Sequence, residues 1–457
     1  MQHFKRTLLV IASLVVLVIV GALTFALLPT HTRPIASSQA AADAASIERG
    51  RYLAVAADCT ACHTEPGGKP FAGGLAIDSP VGAIYSTNIT PDVESGIGKF
   101  TLDDFDRAVR HGIDDEGVTL YPAMPYPSYA LMSDEDIAAL YAYFMHGVEA
   151  TSSTEHANGI PWPLSIRWPL AIWRKLFAPS PGAPTFNASR YADPVVARGA
   201  YLVEGPGHCG SCHTPRAVTL QEKALDDSST YFLAGGQQIG GWIAVSLRGN
   251  LGDGLGAWSK EDIVATLRSA RNSEQSVIGP PMNDVVVHST QYLQDADLQA
   301  IAAYLKTLAP SPSDASKFAA NPATAAALAK GREANRGAEL YDDNCAACHR
   351  TDGAGSPKAL PKIAGNSSVL AQDPNSLIRL VLAGGTLPGT ARAPSPLAMP
   401  GFAWRLSNDE VAQLLTFIRT SWGNQASSVS AGEVARVRGT LGAQTLPKTS
   451  ANFRHEP

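Results

Sequence analysis

Three copies of one pentapeptide constrain this chain more than anything else in it. They are Cys59-Thr60-Ala61-Cys62-His63, Cys209-Gly210-Ser211-Cys212-His213 and Cys345-Ala346-Ala347-Cys348-His349, and together they use all six cysteines. Cys-x-x-Cys-His is the pattern of covalent c-type haem attachment. The two thiols add to the haem vinyl groups as thioethers, and the adjacent imidazole becomes an axial iron ligand. A zinc site usually wants four N/S ligands, and pairing the separated Cys-x-x-Cys units would leave each histidine without a role. A thioredoxin-like redox pair expects a βαβ setting and gives no reason for the following histidine. The motifs therefore point to three haem c groups and a multihaem electron carrier.

The copies begin at positions 59, 209 and 345 of 457 residues, a spacing that suits one domain per haem. A formal charge of −5 without a long basic run argues against nucleic acid as a partner. Haem c assembly points outside the cytoplasm, and the N-terminus supplies the route. Leu8 to Leu28 is uncharged and follows Lys5 and Arg6. That length can span a bilayer, and the basic flank keeps the N-terminus cytoplasmic. Length favours an uncleaved anchor. The alternative is a cleaved signal peptide, whose cleavage candidate Ser38-Gln39-Ala40 lies well beyond the apolar run. Both readings place the haem domains on the periplasmic side of the inner membrane.

A longer repeat surrounds each motif. Every copy opens on Arg-Gly with a leucine three residues later: Arg49-Gly50 with Leu53, Arg198-Gly199 with Leu202, Arg336-Gly337 with Leu340. Every copy closes on an amphipathic helix: from Ser133 with Ile137, Leu140 and Phe144; from Asp295 with Leu298, Ile301 and Leu305; from Ser407 with Val411, Leu414 and Phe417. The first and last helices are expected to pack across one another.

Between them lies a further helix (Thr101 to His111, Ser259 to Arg268, Asn375 to Leu382), then a methionine beside proline. The segments are Pro122-Ala123-Met124-Pro125, Pro280-Pro281-Met282-Asn283 and Ala398-Met399-Pro400. Proline is expected to hold each loop extended and out of a helix. A methionine is usually core filler, but the chain has only six, and three recur at equivalent places. Met124, Met282 and Met399 are thus candidate axial ligands opposite His63, His213 and His349. His/Met ligation fills both axial positions and raises the reduction potential, which suits relay of electrons and disfavours a peroxidase or oxidase. Asn88 and Arg248, between motif and methionine, are candidates to orient a propionate or the axial sulfur, or else to bond locally. The tryptophan- and arginine-containing stretch Ile160 to Phe177 fits a membrane or partner surface, or a covered seam. No Ser/His/Asp set, paired carboxylates or nucleotide-binding glycine motif presents itself as an active site, so no catalytic residue is assigned.

Several phrases resemble one family: Thr87-Asn88-Ile89-Thr90-Pro91-Asp92, Tyr121-Pro122-Ala123-Met124-Pro125-Tyr126-Pro127-Ser128-Tyr129, Gln221-Glu222-Lys223-Ala224-Leu225-Asp226-Asp227 and His288-Ser289-Thr290-Gln291-Tyr292-Leu293. Together they are similar to the trihaem cytochrome c subunits of membrane-bound bacterial gluconate, sorbitol and alcohol dehydrogenases. The resemblance implies a separate dehydrogenase subunit, with a flavin or quinone cofactor, that oxidises the substrate. It also implies that this chain passes the electrons to ubiquinone in the membrane. A freestanding membrane-tethered carrier is the rival reading. The fold expected is mainly α: a signal or anchor at 1–30, then three tandem class I cytochrome c domains at 46–150, 190–309 and 331–422. Linkers fall at 151–189 and 310–330, and a polar tail at 423–457 is expected to add little to a core.

Overall fold

The computed structural model describes residues 2–30, 32, 35, 43–181, 186–272, 278–312 and 318–442. The cleavage candidate Ser38-Gln39-Ala40 and the tail beyond residue 442 lie outside them. The chain is mainly helical and divides into two compact units, Met1–Asn187 with Glu204–His208 and Ala188–Val203 with Cys209–Pro457.

The first unit begins with α1 (Gln2–Leu27), an unburied helix long and apolar enough to cross a membrane. Helices α2 (Ala44–Ala56) and α3 (Cys59–His63) follow, then a hairpin of β1 (Ala76–Ser79) and β2 (Gly82–Tyr85) with Ala76 opposite Tyr85. Next come α4 (Leu102–His111), α5 (Tyr126–Tyr129), α6 (Asp134–His146) and α7 (Trp168–Phe177). Thr101 and Asp104 form a capping box that starts α4, and Gly112, with φ of 62°, ends it in the left-handed region. Leu53, Phe105, Ile137, Leu140 and Phe144 form the core, with Phe71 edge-on to Phe144 at 5.2 Å.

The second unit contains α8 (Pro194–Glu204), α9 (Gly210–His213), the short hairpin β3 (Gln238–Ile239) and β4 (Trp242–Ile243), α10 (Lys260–Ser269), α11 (Met282–His288) and α12 (Asp295–Leu305). It continues with α13 (Ala323–Leu328), α14 (Arg336–Asn344), α15 (Ala346–His349), α16 (Ser367–Leu370) and α17 (Asn375–Ala383). The antiparallel pair β5 (Gly385–Leu387) and β6 (Leu397–Met399) precedes α18 (Asn408–Thr420) and α19 (Ala431–Thr440).

The Arg-Gly repeat is a helix-crossing device. A Cβ on Gly50 would sit 1.9 Å from the Ala139 carbonyl oxygen of α6, one on Gly199 1.9 Å from that of Ala300 in α12, and one on Gly337 2.4 Å from that of Gln413 in α18. Only glycine lets the two backbones approach so closely. The neighbouring arginine then locks the crossing to the first turn of the partner helix: Arg49 to Asp136 at 2.8 Å, Arg198 to Asp297 at 2.8 Å, Arg336 to Glu410 at 2.9 Å. Leu53, Leu202 and Leu340 are each buried one turn on.

Two boundary expectations need correction. The tail from Gly423 completes a core: Val429, Val434, Val437 and Leu441 are buried with Leu414 and Leu415. Its apolar residues fall at helical spacing on one stripe, which averaging over a polar tail conceals. Arg419, fully buried, ties that tail down by donating to the carbonyls of Ser427 (2.7 Å) and Val369 (2.7 Å). The stretch 310–330 is also more than a plain linker, because α13 brings Leu328 into the same core.

Candidate haem-binding centres

Each Cys-x-x-Cys-His copy folds as a single short helical turn, α3, α9 or the Cys345–His349 region around α15, which presents its histidine on a main-chain carbonyl. His63 Nδ1 lies 2.7 Å from the Thr87 oxygen, His213 Nδ1 2.8 Å from that of Val245, and His349 Nδ1 2.9 Å from that of Pro361. A carbonyl can only accept, so Nδ1 carries the proton and Nε2 keeps its lone pair. Metal-ligating histidines are commonly oriented in this way. Burial also lowers the pKa of all three imidazoles below the ordinary value, favouring the neutral form that binds a metal.

The first two copies reach this arrangement by the same route. Asp58 and His208, just before the first cysteine, adopt φ of 53° and 37°. The His63 carbonyl accepts from Gly73 N–H (2.8 Å) and the His213 carbonyl from Gly235 N–H (2.7 Å), both glycines having φ of 76°. A hairpin then delivers the histidine's acceptor two residues past its last strand position, Thr87 after Tyr85 and Val245 after Ile243. In the third copy, a glycine loop replaces the hairpin. Gly353 has φ of 64°, its carbonyl accepts from Ile363 N–H (2.7 Å), and Pro361 receives the histidine.

None of the six cysteines is in a disulfide. Burial pushes the thiols of Cys59, Cys209 and Cys345 up to about 12, while Cys62 and Cys348 are exposed. Two thiols outside any disulfide and one helical turn apart, followed by an imidazole with a fixed tautomer, fit haem c at each copy.

The methionines are held in three different ways. Met124 lies in a turn, its N–H on the Tyr121 carbonyl (3.2 Å) and its own carbonyl accepting from Tyr126 N–H (2.9 Å). Met399 ends β6 opposite Gly385 and packs against the third core. Met282 departs from expectation, because it is the first residue of α11 rather than part of an extended loop. The physical reason is that Pro281 sits at the N-cap of α11, where proline lacks no needed N–H and precedes a helix readily. Met132, by contrast, is fully buried and Met145 packs against the same core, both acting as filler.

Asn88 and Arg248 take the local option. Asn88 donates to Ser95 Oγ (3.1 Å) and the Thr151 carbonyl (2.7 Å) and accepts from Thr90 N–H (2.9 Å). Arg248 donates to the carbonyls of Ala309 (2.7 Å) and Phe232 (2.8 Å). Both knit loops together. The groups that orient the histidines are main-chain carbonyls, which have no signature in residue type; the one available signal was position, since Thr87 adjoins Asn88.

Sequence reasoning also missed a buried polar cluster around Arg110. Arg110 donates to Asp106, to Asp134 (2.8 Å) and to the Met132 carbonyl (3.1 Å). His111 lies 3.8 Å from Asp106, and burial, then the Arg110 and Arg174 charges, lower its pKa to about 4.

The cytochrome c family profile matches residues 47–147 and 334–422. The chain is 52% identical to the gluconate 2-dehydrogenase cytochrome c subunit of Pantoea cypripedii over 87% of this chain and 90% of that one. It is 51% identical to the cytochrome c subunit of the quinone alcohol dehydrogenase of Gluconobacter oxydans (strain 621H), over 87% and 83%. The fructose dehydrogenase cytochrome subunit of Gluconobacter japonicus is 38% identical over 89% and 86%. Three Cys-x-x-Cys-His turns with carbonyl-bound histidines, together with these likenesses, lead to one conclusion: the chain belongs to the cytochrome c family, among the electron-transferring cytochrome c subunits of bacterial dehydrogenases.

Proposed function

We propose that this chain carries three haem c groups in three tandem domains. It relays electrons from a dehydrogenase subunit to ubiquinone, from the periplasmic side of the inner membrane to which α1 anchors it. The dehydrogenase partner oxidises a CH–OH substrate with its own flavin or quinone cofactor. The observation that carries this reading is the threefold recurrence of one construction, a Cys-x-x-Cys-His turn with its histidine Nδ1 bonded to a main-chain carbonyl.

Cys59 and Cys62, Cys209 and Cys212, and Cys345 and Cys348 would hold the three groups covalently. His63, His213 and His349 would supply the neutral imidazole on one side, with Met124, Met282 and Met399 supplying the thioether on the other. Bound iron of this kind accepts and returns one electron at a time. The chain's own part is to fix the imidazole tautomer, and its methionines would hold a thioether against the bound group and keep small molecules from it. The methionine thioether favours the reduced metal and so raises the potential relative to nitrogen ligation.

Mild detergent extraction, isolation of this chain and mass spectrometry of what accompanies it test the assignment. A flavoprotein or quinoprotein dehydrogenase in equal amount is expected, with substrate-dependent quinone reduction lost when the two separate. Recovery of the chain alone, still exchanging electrons with several proteins, would replace the subunit by a freestanding carrier.

A further inference from the structure

The first unit places an unsatisfied polar cluster at the end of its membrane-length helix. Lys175 of α7 donates to the carbonyls of Phe25 (2.6 Å), Ala26 (3.1 Å) and Leu28 (2.8 Å), capping the C-terminus of α1. Arg174 Nη2 donates to Thr30 Oγ1 (2.6 Å), just past that helix. Helix α7 is thereby fixed at the level where α1 would leave the bilayer. The segment around it suits that level: Trp162, Leu164 and Leu176 are 80%, 56% and 61% exposed. No acidic residue occurs from His156 to Ala192, while Arg167, Arg174, Lys175 and Arg190 do. An apolar rim with tryptophan and basic residues is the composition of a membrane-surface segment.

Beneath α7 lie three polar atoms with no hydrogen-bond partner among the described residues: Tyr126 Oη, Arg174 Nε and His111 Nδ1. Their residues are buried, with Tyr126 completely covered. The ring of Tyr126 packs on Gly112, next to His111, and Trp173 of α7 stands edge-on to it at 6.4 Å. Buried groups of this kind are costly when nothing meets them. Tyr126 is two residues from Met124, and its N–H is bonded to the Met124 carbonyl.

We propose that Tyr126, Arg174 and His111 bind the headgroup of a membrane quinone that enters from the bilayer by displacing the Trp173 edge of α7, making the His63/Met124 iron the electron exit. The proposal rests on the quinone-reducing role above and names its site. The Tyr126 hydroxyl and Arg174 Nε–H donate to the quinone's carbonyl oxygens. His111, with Nε2 directed at Asp106, offers Nδ1 as an acceptor for the hydroxyl of the reduced form. One quinone takes up two electrons, which arrive through this chain from the dehydrogenase, and two protons from water, giving one quinol.

The test uses the intact complex with its dehydrogenase, comparing substrate-driven reduction of ubiquinone-1 with that of ferricyanide. Tyr126→Phe removes one oxygen that no protein group satisfies, so it threatens folding little. The expected result is a KM for ubiquinone-1 raised about tenfold, the loss of roughly one hydrogen bond, with a lower ratio of quinone to ferricyanide rate. An unchanged KM, or equal loss with both acceptors, overturns the site. Failure of the unaltered complex to reduce ubiquinone-1 at all would instead sink the quinone-reducing role. Photolabelling the unaltered complex with an azido-ubiquinone needs no variant. Label in 112–130 or 160–177 is expected, and label confined elsewhere overturns the proposal.

Discussion

The first and middle copies hold their histidines alike and their methionines differently. In both, a residue with positive φ leads into the first cysteine, a glycine N–H closes on the histidine carbonyl, and a hairpin carries the acceptor to Nδ1. Yet Met124 sits in a turn between prolines, and Met282 opens a helix. The histidine side is local: the cysteines, glycine and hairpin lie within about 35 residues, so one short sequence builds it twice. The methionine side depends on where a separate segment, some 60–70 residues on, enters the domain. The third copy shows the same independence from the other direction, with a different histidine loop and a methionine on a strand.

Replacing the two methionines separates these halves most sharply. Met124→Ala is expected to open its iron to carbon monoxide or cyanide and to lower its potential by on the order of 0.1 V or more, since axial ligation spans about 0.8 V. Met282→Ala should do the same at a second iron. A spectroelectrochemical titration that moves for Met124→Ala and stays still for Met282→Ala would remove Met282 as a ligand.

The helix crossings should respond equally. Gly50→Ala and Gly199→Ala each force a Cβ into a carbonyl oxygen at 1.9 Å, and each should cost about 3 kcal/mol. Thermal melts of the two variants should show comparable losses. A silent Gly199→Ala would mean that the middle crossing is looser than the first.

His111 is the last residue of α4 in the first copy, whereas the corresponding helix α10 of the middle one ends on Ser269. Its folded pKa of about 4 lies below the usual 6.5, so the unfolded chain binds the extra proton. The associated stability is present above about pH 6.5 and is lost as pH falls towards 4, by roughly 1–3 kcal/mol. Melting temperatures measured against pH should fall less steeply in His111→Gln than in the unaltered chain, and parallel curves would contradict the shift. The smallest effect is expected at the crossing ion pairs. Arg49→Gln and Arg198→Gln break pairs whose arginines are about half exposed, and each should cost under ~1 kcal/mol in denaturant unfolding.

What was legible in the sequence were features written in residue type at short spacing. The Cys-x-x-Cys-His turns, the Thr101, Ser259 and Ser407 helix starts and the Arg-Gly crossings all fall in that class. What was not legible depends on the main chain or on distant packing. Thr87, Val245 and Pro361 act through carbonyls, which any residue provides. The stripe of Val434, Val437 and Leu441 is too short to stand out in a polar tail. Proline beside Met282 reads in the sequence as excluding a helix, although at an N-cap it precedes one. Tyr126, Arg174 and His111 are spread over 64 residues, and nothing in residue type marks Tyr126 Oη, Arg174 Nε and His111 Nδ1 as buried without hydrogen-bond partners.

The most direct test of the central claim is the intact mass of the purified chain, with a count of thiols that react under denaturing conditions. The family profile matches around the first and third copies, so the middle one decides. Three haem additions and no reactive thiol are predicted. Two haem additions, with Cys209 and Cys212 both alkylated, would contradict it.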